Sequence, residues 1–156
     1  MPPPPPPPQR SIVFTPTNAA SPSIALFSNQ LSDATQLILD VRAVGVTNLY
    51  GVAFDLRYPN GVLRYTGRTE GTFLSADGTM ISFQVAEAPA GNLVIGLSRL
   101  GDSGGASGTG LLFSLQFAPV GTGGGTFTFA DASALGPDGS SLSAISWSAG
   151  SVQVTL

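Results

Sequence analysis

The chain has no cysteine and no histidine. Their absence removes the thiol nucleophile, the commonest general base and proton shuttle, and the usual zinc ligands. Lysine is missing as well: all six basic residues are Arg. Arg42, Arg57, Arg64, Arg68 and Arg99 stand singly, and the net charge is −3. Nucleic-acid binding needs a concentrated positive field, so it is excluded. No apolar run approaches the ~20 residues of a membrane-spanning helix. No segment keeps a helical period beyond one or two turns. The remaining route to catalysis is the nine acids. A glycosidase needs two carboxylates at a set separation across a cleft. Nothing pairs Asp33, Asp40, Asp55, Glu70, Asp77, Glu87, Asp102, Asp131 and Asp138 in that way, and most fall at turns, where Asp caps its own backbone. The expectation is a protein that is not an enzyme.

Charged residues are also scarce, 10% of the chain against roughly 25% in an average globular protein. The surface must be covered largely by Ser, Thr, Gly, Asn and Gln, which suits an extracellular or cell-surface location. A GC-rich genome would explain part of the same bias. Met1 is followed at once by seven prolines, an odd native start, so an export or lipid-attachment segment is expected upstream. Residues 2–8 read as a polyproline II rod of about 22 Å, at ~3.1 Å per residue. The rod divides the chain into a tail, residues 1–10, and a domain, residues 11–156. As a tail it is a stiff spacer; the alternative is an assembly element that docks on a neighbour.

From residue 11 onward the pattern is β. Residues 36–44 alternate, with Leu37, Leu39, Val41 and Ala43 on one face and Asp40 and Arg42 on the other. Residues 48–58 repeat the device: Tyr50, Val52, Phe54, Leu56 and Tyr58 point one way, Gly51, Ala53, Asp55 and Arg57 the other. Pro59, Asn60 and Gly61 make a turn. Further strands are expected at 62–65, 80–86, 92–100, 110–118 and 126–130. A last one, 145–156, bends at Ala149 and Gly150. Residues 101–110 and 121–125 read as glycine-rich loops. With a short strand at 11–14, about nine strands result, 24–27 reading as an extra short strand within a connection, and turn signals fall every 8–12 residues, the mark of a sandwich or barrel.

Few motifs carry chemistry. Residues 105–110 superficially resemble a phosphate loop, but they lead into a strand and not into a helix whose amides would face an anion. Asp77, Asp102, Asp131 and Asp138 lie in loops and could serve calcium, yet no ligand spacing links them. Turn-capping is therefore expected, with no cofactor and structural calcium as the alternative. Trp147 shares a row with Ile145 and is expected in the core, as are Tyr50 and Tyr58. No strip of exposed aromatics suited to polysaccharide is visible. The outward row Gly51, Ala53, Asp55 and Arg57 would let a partner approach closely; the alternative is a solvated face with a cross-strand ion pair.

Several motifs, taken in order, resemble those of a bacterial cohesin domain, especially the non-cellulosomal cohesin-like modules of secreted proteins. They are residues 48–58 (NLYGVAFDLRY), Val62 with Leu63, 70–74 (EGTFL), 96–101 (GLSRLG), 108–112 (GTGLL) and 150–154 (GSVQV). The resemblance covers essentially all of residues 11–156. It implies a nine-stranded jelly-roll β-sandwich, carbohydrate-binding-module-like in shape, and no catalysis. It implies an adhesive or assembly role in which one sheet face binds a dockerin, a small calcium-loaded helical module. Mapped onto this chain, that face uses strands 48–58, 80–86, 92–100 and 126–130, with the binding residues Gly51, Ala53, Asp55, Arg57, Gln84 and Ser98. Ser82, Val94 and Gly96 point the same way. Gly51 and Ala53 stand where some dockerin-binding members present polar side chains. Two other roles are compatible with the residues: a structural subunit that contacts a neighbouring copy, and a polysaccharide-binding module.

Overall fold

Alternation of apolar and small or polar residues is what builds this molecule, and the strand Gly51–Arg57 shows how. Val52, Phe54 and Leu56 are buried while Ala53 and Arg57 are exposed, so one face turns to a core and the other to solvent. The computed structural model describes residues 1–5, 9–101 and 104–156. Its strands are β1 (Ser11–Pro16), β2 (Ser23–Ser28), β3 (Leu37–Leu49), β4 (Gly51–Arg57), β5 (Leu63–Glu70), β6 (Ile81–Glu87), β7 (Asn92–Arg99), β8 (Ala106–Pro119), β9 (Gly123–Leu135), β10 (Ser146–Ser148) and β11 (Gly150–Thr155). They form two sheets, ordered β1-β11-β9-β4-β7-β6 and β10-β2-β3-β8-β5. The inner faces close on one core that includes Leu26, Leu39, Phe54, Leu93, Phe113 and Phe117. This is the expected all-β sandwich.

The strand count differs from the nine expected. Residues 145–156 are not one bent strand. β10 pairs parallel with β2 in one sheet, and β11 pairs with β1 and β9 in the other. The break at Ala149 carries the chain from one layer to the next. The loop expected at 101–110 is strand from Ala106 onward, and β9 begins inside the expected loop 121–125. In both places a neighbouring strand supplies the ladder that glycine alone would not favour. Asp102 and the loop assigned to it lie partly outside the described residues, as do Pro6 to Pro8 of the tail.

Aromatic packing ties the layers together. Phe54 lies 6.1 Å from Phe113 in a near-parallel stack, 5.0 Å from Phe129 edge-on and 5.4 Å from Trp147. Trp147 is half-buried, as its shared row with Ile145 implies. Tyr58 is buried; Tyr50 is only half-buried, and its hydroxyl donates to Gly101 O at 2.6 Å.

Charges placed in the interior are all held. Arg99, which the sequence shows as one of several scattered cations, is buried at 3% exposure. It donates to Leu74 O at 2.8 Å, Asp77 Oδ2 at 2.6 Å and Thr79 Oγ1 at 3.0 Å, pinning the β5–β6 connection to β7. The hydrogen bond from Arg99, reinforced by Thr79, holds the Asp77 carboxyl well below the usual carboxylate range. Asp40 faces outward from the five-stranded sheet as expected, yet it is buried. Asn29, Ser114 and Arg42 all donate to it, at 2.9, 2.7 and 3.1 Å. Among the described residues three acids cap turns, whereas Asp131, expected in a loop, lies within β9 because β4 pairs alongside it. Asp33 accepts from Thr35 and Gln36, Asp77 from Thr79 N, and Asp138 from Ser140.

The Tyr58 hydroxyl donates to Glu87 Oε2 and so ties the end of β4 to the end of β6. Burial, and then this bond, push the phenol up to about 12. An unfolded tyrosine ionises near pH ~10, so above that pH the unfolded chain loses its proton first. Folding stability contributed by this group is intact below pH ~10 and falls as pH rises toward the folded value. Thermal unfolding followed from pH 8 to 11, values chosen to bracket the ordinary tyrosine pKa of about 10, should show a steeper alkaline loss for the wild type than for Tyr58→Phe. Parallel curves would mean that the phenol is not held in this way.

Candidate functional site

The solvent face of the six-stranded sheet is built by register. Ser82, Ser98, Gly51 and Leu135 fall in one row across β6, β7, β4 and β9. Gln84, Gly96, Ala53 and Ser133 form the next, and Ala86, Val94, Asp55 and Ala130 the third. Arg57 ends the face opposite Asn92 and Thr128. All six residues singled out in the sequence are therefore brought to one face: Gly51, Ala53, Asp55, Arg57, Gln84 and Ser98. Their even spacing on neighbouring strands makes this inevitable once those strands pair in this order.

Small residues give the face its shape. Gly51, Ala53 and Gly96 form the floor of an open depression of about 690 Å³. A Cβ added at Gly96 would meet nothing within 4 Å, so the space over it is open. Ser82 and Gln84 stand on the β6 side, and Arg68 reaches the rim from β5 in the other sheet. Ser98 turns its hydroxyl back to Arg99 O at 2.8 Å, which leaves Gln84 as the long polar side chain facing out.

Apart from Arg68 at the β6 rim, charge on the face is confined to one end. Asp55 accepts from Asn92 Nδ2 at 3.2 Å, and that amide also donates to Ala88 O at 3.1 Å. Arg57 is exposed and makes no ion pair among the described residues. The cross-strand ion pair entertained from the sequence does not form among the described residues: Asp55 is bonded by Asn92 and pairs with no cation. The other end is apolar. Met80 is 75% and Leu100 46% exposed, and Leu100 N donates to Met80 O at 2.9 Å.

Met80, Leu100, Leu135 and Arg68 belong to the site and were not singled out in the sequence. Met80 and Leu100 could have been, since they share parity with Ser82 and Ser98. Leu135 could not. A bulge sets Ala53 opposite Ser133 but Asp55 opposite Ala130, with Asp131 in the left-handed region at φ 49°. That irregularity reverses the parity of β9 beyond it. Chemically, the face offers at one end a carboxylate already bonded and a guanidinium without an ion pair among the described residues, with small or apolar surface over the rest. It can make contact over a broad area, and it has no acid–base pair.

No known family profile and no curated protein matches the chain. Solved structures do. A type II cohesin module from the adaptor scaffoldin of Acetivibrio cellulolyticus superposes with a TM-score of 0.65 at 15% identity, covering 92% of this chain and 89% of that one. A non-cellulosomal cohesin from the archaeon Archaeoglobus fulgidus gives 0.58 at 17% identity, covering 88% and 86%. A scaffoldin cohesin of Acetivibrio cellulolyticus, solved in complex with a dockerin, gives 0.62 at 13% identity, covering 75% and 86%. The fold of this chain is the cohesin fold.

Proposed function

We propose that this chain, a β-sandwich of the cohesin type, is a non-catalytic protein-binding module that acts in adhesion or assembly outside the cell, and that its partner is a dockerin-like module docking on the outer face of β6, β7, β4 and β9. The observation that carries this reading is the depression floored by Gly51, Ala53 and Gly96 on a face almost free of charge. Interface centres are depleted in charged residues, and a stable complex buries about 800 Å² on each partner. A floor of two glycines and an alanine lets a partner's backbone come close. Met80, Leu100 and Val94 supply exposed apolar surface at the same site. Recognition here rests on shape and apolar contact, with Arg57 orienting the partner through a carboxylate.

Titration calorimetry of the wild type and Arg57→Glu against a panel of calcium-loaded dockerin modules tests this. A member of the panel is expected to bind, and the charge reversal should weaken it roughly tenfold, about 1.4 kcal/mol, because a rim charge is replaced by its opposite. If no dockerin binds, the partner class is wrong. Binding unaffected by Arg57→Glu would remove this residue from the contact. Retention of the chain on polysaccharide instead would favour the sugar-binding role.

A further inference from the structure

The sandwich has open edges, and they are not defended equally. β1 carries Pro16, whose missing N–H lies on the free side: Thr17 N donates to Ala149 O, so residues 12, 14 and 16 of the alternating ladder face outward. β5 has a bulge between Tyr65 and Gly67 and carries Arg64, Arg68 and Glu70. β10 is three residues long. β6, with the sequence ISFQVAE, has neither proline nor bulge and no charge before Glu87. Leu100 N donates to Met80 O, and Ala88 N to Asn92 O. The even-numbered residues of β6 therefore bond β7, and Ile81, Phe83 and Val85 turn their N–H and C=O groups to the open side.

One group covers that side among the described residues. The bulge in β5 puts Arg68 opposite Leu115, on the core-facing side of an edge strand. From there its guanidinium crosses the mouth between the sheets. It lies 5.1 Å from the centre of the Phe83 ring, and Nη1 donates to Val85 O at 3.1 Å. An inward-pointing charge at an edge is a recognised device against strand addition.

We propose that the open edge of β6 is a pairing surface for a second copy of this chain, and that Arg68 keeps it closed. The edge is complementary to itself. Two β6 strands running antiparallel about a two-fold axis put Phe83 opposite Phe83 and Ile81 opposite Val85, pairs that exchange both backbone bonds. Ser82 then faces Gln84, and no like charges meet. The pairing extends the six-stranded sheet across the axis and requires only that Arg68 release Val85 O. The pairing surface is the backbone edge of β6; it shares Arg68 with the rim of the partner-binding depression, but pairing does not rest on that depression's function.

Light scattering across a range of concentrations, with amide exchange at Phe83 and Val85, tests the proposal. Arg68→Met keeps an apolar stem over Phe83 and removes the donor. It is expected to double in mass as concentration rises and to slow exchange at both amides, while the wild type stays monomeric at the same concentrations. Adding Val85→Pro should restore the monomer, because it removes an outward N–H and no bond to β7. A folded Arg68→Met that remains monomeric with both amides exchanging freely would overturn the proposal. So would a dimer that survives Val85→Pro, or a wild type that dimerises as tightly as Arg68→Met.

Discussion

Phe54→Ala is expected to destabilise the domain by about 3–5 kcal/mol, the range for truncating a buried aromatic. Phe54 is 2% exposed and sits where the layers meet, against Phe113 from one sheet, Phe129 from its own and Trp147 from β10. β4, β8 and β9 are held by ladders on both sides and cannot collapse into the space; only β10, at a sheet edge, can shift toward it. A typical domain has a margin of about 5–15 kcal/mol, so the urea midpoint should drop sharply with little change in slope. An unchanged midpoint would mean that β4 faces the other way, because a one-residue slip exchanges the two faces of a strand.

Gly96→Arg is expected to weaken binding of any partner docked on the outer face by on the order of 100-fold, about 2.7 kcal/mol, while leaving the unfolding midpoint nearly unchanged. Gly96 is not in the left-handed region, and the space over it is empty, so a side chain there enters the depression without disturbing the sheet. Ser151→Arg, exposed on the same outer face but on β11, outside the four docking strands, is the control and should bind as the wild type. Equal loss in both variants would point to charge and not to occupancy of the depression. No loss in either would move the docking site off this half of the sheet.

Much of this was legible in the residues. The parity of Val52, Phe54, Leu56 and Tyr58 assigns the faces of β4, and Leu93, Ile95 and Leu97 do the same for β7, because a side-chain period of two leaves no other way to bury those rows. Once these strands are known, Gly51, Ala53, Asp55, Arg57, Gln84 and Ser98 must point outward. Other features carried no such signal. Glycine runs read as loops, yet 123–125 are strand because β11 lies alongside. The parity of Leu93, Ile95 and Leu97 turns Arg99 inward, but the groups that hold a cation there, Leu74, Asp77 and Thr79, arrive from a connection some twenty residues away.

Local alternation therefore determined the fold class, the two faces of each central strand and the identity of the outward row. Those properties depend on neighbours one and two residues apart, which the chain states directly. The division of the last strand between two layers, the parity change at Asp131, the groups that hold Arg99 and the crossing of Arg68 over the edge of β6 were decided only in three dimensions. Each depends on which distant strand lies alongside, and a hydrogen-bond ladder or a buried charge is satisfied by that neighbour and not by its own segment.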